Sequence, residues 1–166
     1  QSLTEPGWVE PVAAALRQLG RTQLDAVLST TALHWLPVEH LARVYNQLGE
    51  LVRPGGLLLN GDHMAYPPSL PVFRGLAEQH SAQLRQAAFA DQGGEDYRQW
   101  WEAIEQGWLA ADPTLQPIFD AYHVTEQQRR REFSEPIALV HLAALADAGF
   151  DQVDTLWQRY DNRVLL

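Results

Sequence analysis

Two short apolar runs constrain this chain more than any other feature: Leu24-Asp25-Ala26-Val27-Leu28-Ser29, and Leu57 to Asp62. Each has the length of one buried strand of the parallel type and is too short for a helix. Between them, Val38, Leu41, Tyr45, Leu48 and Val52 recur at helical spacing. Pro37 suits the first turn of that helix, because its missing N–H would be unpaired there anyway. Glu39 and Arg43 fall at i,i+4 on the outer face. Arg53-Pro54-Gly55-Gly56 then reads as a break and a turn. Ahead of the first run, Val9, Val12, Ala13, Leu16 and Leu19 mark another helix, stopped by Gly20. Helix, strand, helix, strand with short connections implies a parallel sheet with right-handed crossovers. The expected fold class is α/β, a partial doubly wound and mostly parallel sheet.

Residues 67–136 depart from that rhythm. Helices are expected over about 70–90, 95–111 and 114–128. The stretch is rich in aromatics: Phe73, Phe89, Tyr97, Trp100, Trp101, Trp108, Phe119, Tyr122 and Phe133. A helical insertion at this point in such a sheet is expected to cap the carboxyl edge of the strands. The α/β rhythm then returns. Ile137, Val140, His141, Ala144 and Leu145 mark a helix that Gly149 ends. Phe150 to Tyr160 reads as one strand, Asp161-Asn162 as a tight turn, and Arg163 to Leu166 as the start of another strand, so the sheet is expected to end in an antiparallel hairpin. The domain reading is therefore 1–66 with 137–166 as the α/β part, and 67–136 as the inserted cap.

The chain has 166 residues, of which 46% are hydrophobic, enough to build one core. Its net charge of −9 argues against non-specific nucleic-acid binding, which needs clustered cations. The one basic run, Arg129-Arg130-Arg131, reads as a solvated helix face or end. With no cysteine, thiolate nucleophiles, disulfides and thiolate-bound zinc are excluded, and a cytoplasmic setting is expected. No apolar stretch is long enough for a bilayer-spanning helix, so no membrane association is expected. Gln1-Ser2-Leu3-Thr4 shows no leader pattern. A start on Gln rather than Met leads to the expectation of a fragment or a processed product.

Three segments carry a family resemblance. Leu24 to Ser29 followed by Ala32-Leu33-His34-Trp35-Leu36, then Leu48 to Leu59 around Arg53-Pro54-Gly55-Gly56, then Ala148-Gly149-Phe150-Asp151-Gln152-Val153 stand in the order found in class I S-adenosylmethionine-dependent methyltransferases. The sequence resembles the C-terminal part of such an enzyme, of the small-molecule type similar to trans-aconitate methyltransferase. The resemblance implies a Rossmann-like sheet, S-adenosylmethionine as the methyl donor, and a small-molecule acceptor. It covers the framework, whereas 67–136 matches in position and helical character alone. The family's glycine-rich loop and the acidic residue that binds the ribose are both absent, and no G-x-G-x-G pattern occurs here. Residues 1–8 resemble the end of the family's third strand and the turn after it, with Ser2 where an Asp often stands. Most of the cofactor cradle is therefore expected to lie outside this chain.

In open α/β sheets, ligands bind outside the carboxyl ends of the strands. The first such end supplies Ser29, Thr30, Thr31, His34 and Trp35, which the resemblance puts beside the methionine part of the cofactor. The second supplies Asp62, His63 and Tyr66, which it puts toward the acceptor. His34 is the candidate base, or a donor that orients the acceptor; capping the next helix is the plainer alternative. Trp35 is pocket wall or simple core. Asp62 and His63 lack a third partner for a metal. Tyr97, Trp100, Trp101, Ile104 and Trp108 form a stripe at helical spacing, for packing of the cap or, at Trp101, for substrate contact. His40, His80, His123 and His141 read as surface or packed residues, and Asp25 as structural. No G-x-S-x-G elbow supports a hydrolase. The competing reading is a non-catalytic half-domain. The resemblance places the strand at 24–29 next to the absent first strand, so it would carry an open apolar edge and pair with a second copy of the chain or with a partner.

Overall fold

The computed structural model describes residues 3–132 and 136–166, side chains excepted at position 6 and at 126–132. Ser2, Phe133 and the side chains of Arg129, Arg130 and Arg131 lie outside it. The chain is mixed α/β and divides into two compact units, Gln1–Arg74 with Ser134–Leu166, and Gly75–Phe133.

The first unit contains α1 (Val9–Gln18), β1 (Leu24–Thr30), α2 (Val38–Leu51) and β2 (Val52–His63). The start of α3 (Pro71–Arg85) also belongs to it, because the boundary falls after Arg74. The chain returns to this unit as α6 (Ala138–Asp147), β3 (Thr155–Arg159) and β4 (Asn162–Leu165). The four strands form one open mixed sheet in the order β1-β2-β4-β3. β1 and β2 are parallel and joined through α2, while β4 runs antiparallel to both β2 and β3.

Alternation along β2 separates the two faces of the sheet. Leu58, Asn60, Asp62 and, just beyond the strand, Met64 are buried. They meet Leu41, Val44, Tyr45, Leu48 and Leu51 of α2, Ala138, His141 and Leu145 of α6, and Trp8. Helix α2 approaches α6 so closely that a Cβ at Gly49 would collide with the Ala148 carbonyl. The opposite face is open. Leu57 there is 51% exposed, and Leu28 on β1 is 74% exposed. Both were expected to be buried, yet β1 is covered on one side alone.

Other boundaries also differ. Residues 3–8 form turns and a short 3-10 helix, with no strand among them. Arg53 to Gly56 does not interrupt the sheet: Leu24 pairs with Val52 and Ala26 with Leu57, so these four residues bulge out of a continuing β2. Arg53 Nε reaches across to Asp25 Oδ1 at 2.6 Å and pulls that carboxyl below its ordinary pKa, which gives Asp25 the structural role expected of it. The strand read over 150–160 is confined to Thr155–Arg159. The hairpin turn is Tyr160-Asp161, one residue early, with Tyr160 at φ 55°.

The second unit contains the rest of α3, a π turn at Gln86–Ala90, α4 (Tyr97–Ala111) and α5 (Gln116–Glu132). Asp96 caps α4 in a reciprocal box with Gln99, satisfying two backbone donors that the first turn leaves open. Trp108 packs edge-on to Phe119, and Trp101 lies 5.7 Å from Tyr122 between ring centroids.

Candidate functional site

Asp62 ends β2 on its buried side, two residues after Asn60 and four after Leu58. The 3-10 turn Leu33–Trp35 follows β1 and carries His34 to the same end of the sheet. There His34 Nδ1 lies 2.5 Å from Asp62 Oδ1. The backbone N–H of His34 donates to Asp62 Oδ2 at 3.0 Å, and that of His63 donates to Oδ1 at 2.9 Å. The Asp62 side chain has no exposed surface and that of His34 has 12%. A buried carboxylate needs this many donors to offset its lost hydration. With Asp62 unable to donate when ionised, Nδ1 carries the proton. Nε2 is then the atom free to accept one.

This arrangement changes the reading of two residues. Asp62 was expected to touch the acceptor, but its oxygens are occupied beneath His34, so it positions the histidine. His34 was a candidate base or orienting donor, with capping of the next helix as the alternative; no side chain caps the start of α2, and the His34 ring is held by Asp62 instead.

Two aromatic side chains lie against this pair. Trp35 is 62% exposed, and its ring centroid lies 4.7 Å from that of His34. His63 is exposed, with its ring edge-on to His34 at 6.0 Å. Thr31 takes a left-handed φ of 49° while its N–H continues the ladder to the Gly61 carbonyl. Ser29 Oγ is buried and has no hydrogen-bond partner among the described residues. Thr30 is exposed at the end of β1. Tyr66 stands apart: its hydroxyl donates to the Tyr160 carbonyl at 2.9 Å and accepts from Gln158 Nε2 at 2.9 Å. Trp101 belongs to the second unit, among Tyr97, Trp100 and Tyr122.

Behind the pair lies a polar group that the sequence reading passed over. Asn60 Nδ2 donates to the Tyr45 hydroxyl at 3.2 Å, and that hydroxyl lies 2.7 Å from His141 Nδ1. All three side chains are fully buried. Burial pushes the Tyr45 hydroxyl pKa up, with the Asp62 charge adding to it against the Asn60 bond. Burial also lowers His141 to about 4; the Asp62 charge opposes this and His34 adds to it. His141 is therefore a neutral core residue. The available signal was Asn60 and Asp62 alternating on one face of an apolar strand, opposite a histidine on the apolar side of α6.

Among the described residues, no group of three His, Asp or Glu could hold a metal ion. Nor is any helix among the described residues long and apolar enough to cross a membrane. No protein-family model matches the chain, and no curated protein matches it.

Proposed function

We propose that the intact protein transfers a methyl group from S-adenosylmethionine to a small-molecule acceptor, and that this chain is the acceptor-side, C-terminal part of a Rossmann-like domain. The observation that carries this reading is the His34–Asp62 pair at the carboxyl ends of two adjacent parallel strands. It lies in the segments that resemble the family, at the place where open sheets of this kind bind ligands. The parallel step through α2 and the closing hairpin after Gly149-Phe150 support the same reading.

The donor, when bound, would supply an electrophilic methyl group on a sulfonium, with the thioether sulfur as its leaving group. The residues present fit one side of that group. Ser29 brings a buried hydroxyl with no partner among the described residues, Thr30 and Thr31 line the strand end, and Trp35 offers an exposed aromatic face suited to a cation. No glycine-rich loop is present for the adenosine side. His34, with Nδ1–H fixed on Asp62, accepts at Nε2 the proton that the acceptor loses. The exposed His63 stands beside it on the acceptor side.

Calorimetry with S-adenosylhomocysteine tests this on two proteins, the present chain and a longer natural protein that contains it. Micromolar binding by the longer protein and little by this chain is expected. Micromolar binding by this chain alone overturns the half-site reading. No binding by the longer protein overturns the methyltransferase reading.

A second reading, a non-catalytic module that pairs with itself, draws on the edge position of β1 and the open apolar face beside it.

A further inference from the structure

Within the first unit, a cleft of about 280 Å³ opens beside the strand end. Tyr66, Pro67, Leu70, Ile137, Leu139 and Arg163 line it. Its walls are apolar except at one point. Arg163 lies on β4 as the register partner of Asp62, but Asp62 is engaged by His34 and its own backbone neighbours. No carboxylate among the described residues pairs with Arg163, and its Nε is buried without a hydrogen-bond partner. The guanidinium carbon lies 5.2 Å from the centroid of the Tyr66 ring. Tyr66 is itself fixed, its hydroxyl tied to Tyr160 and Gln158, so its ring is a wall and its polar end points to other work.

A guanidinium held in an apolar cleft with no carboxylate partner among the described residues is an incomplete arrangement. Its planar fork matches a carboxylate with two parallel hydrogen bonds. The first turn of α6, at Ala138 and Leu139, also borders the cleft and adds the positive end of its dipole. We propose that this cleft binds a small organic monocarboxylate, with the carboxylate on Arg163 and an apolar body, of the size of one ring or a short branched chain, against Leu70, Ile137 and Leu139. The volume lies at the lower end for ligand pockets, which limits the body to that size. A single cationic group in a chain of net charge −9 favours a monoanion over a phosphate dianion. The site stands on the cleft and the arginine alone and does not depend on methyl transfer. If methyl transfer occurs, the same ligand is a candidate acceptor, because Arg163 and Asp62 share one end of the sheet.

The test is calorimetry on the whole chain with benzoate and cyclohexanecarboxylate. Benzamide serves as the neutral isostere and inorganic phosphate as the competing anion. Saturable binding of the two carboxylates is expected, at least about tenfold tighter than benzamide or phosphate. Arg163→Met keeps the packed stem and removes the fork, and is expected to weaken benzoate at least about tenfold. Arg163→Lys, which keeps the charge without the fork, is expected to fall between the two. Leu139→Glu leaves Arg163 in place and sets a competing carboxylate on the cleft wall, so it is expected to abolish benzoate binding in a folded protein. Equal binding of benzoate and benzamide overturns the proposal. So does tighter binding of phosphate, unchanged benzoate binding in all three variants, or no saturable carboxylate binding up to about 10 mM.

Discussion

Asp62 and Arg163 face each other in register across β2 and β4, yet Asp62 pairs with His34, and Arg163 forms no ion pair among the described residues. The acid is turned toward the loop after β1 and the base toward an apolar cleft. One strand end thus presents two separate chemistries, a held histidine and a cation with no carboxylate partner among the described residues.

Asp62→Asn tests the first of these. Asparagine keeps the volume but offers one acceptor oxygen to three donors, and its NH2 meets one of them directly. Removing an ionised acceptor from a buried group of this kind costs about 3 kcal/mol. Urea denaturation is expected to show that loss. In a longer, active protein the variant is also expected to lower kcat with KM little changed, as for a residue that positions the base without touching substrate. A loss under about 1 kcal/mol contradicts the burial argument.

Tyr45→Phe removes the hydroxyl that joins Asn60 to His141. Both partners stay buried and lose their shared contact, so the expected cost is about 1–3 kcal/mol. The side-chain volume hardly changes, which keeps the cavity contribution small. In a double-mutant cycle, Tyr45→Phe with His141→Phe is expected to cost less than the sum of the single changes, because the second change removes a group the first left unpaired. Additive costs would show that the two residues act independently.

How far could the sequence be read? The repeating pattern from Val9 to Asp62 identifies α1, β1, α2 and β2, because periodicity is a local property. The His34–Asp62 pair spans 28 positions and Tyr45–His141 spans 96, and no local pattern reports which side chains meet. Arg53-Pro54-Gly55-Gly56 has the composition of a turn, and the structure uses it as a bulge because Val52 already pairs with Leu24. At the closing hairpin, Asp161-Asn162 has the residue types that favour a turn. The left-handed position falls instead on Tyr160, whose carbonyl is held by Tyr66 and Gln158. Burial of β1 was inferred from its apolar run, but an apolar run does not say whether both of its faces are covered.

His141 sets a pH dependence. Its folded pKa of about 4 lies below the ordinary value of 6.5. Above about 6.5 it is neutral in both states and has no effect on the slope. Between about 6.5 and 4 the unfolded chain takes up a proton that the folded chain refuses, so stability falls as pH falls. The whole window is worth about 3 kcal/mol, after which the slope from this residue ends. Denaturation midpoints measured from pH 7 to pH 4 are expected to decline along this course, and a buried neutral substitute, His141→Gln, is expected to flatten it. An equal decline in the variant would assign the acid sensitivity to other groups.

The open face of the sheet bears on self-association. Parallel strands are ordinarily covered on both sides. Here the face carrying Ala26, Leu28, Leu57 and Trp157 is exposed next to the free edge of β1. An apolar face beside an unpaired edge favours a second layer or a second copy of the chain. Light scattering on the isolated chain is expected to show concentration-dependent dimers. Leu28→Lys puts a charge on that face at a side chain that packs little in the monomer, so folding stability is expected to change by less than about 0.5 kcal/mol. The same substitution is expected to weaken self-association at least about tenfold. A clean monomer for the unaltered chain overturns self-pairing and leaves the face to a different covering layer. A dimer that Leu28→Lys does not weaken places the contact elsewhere on the molecule.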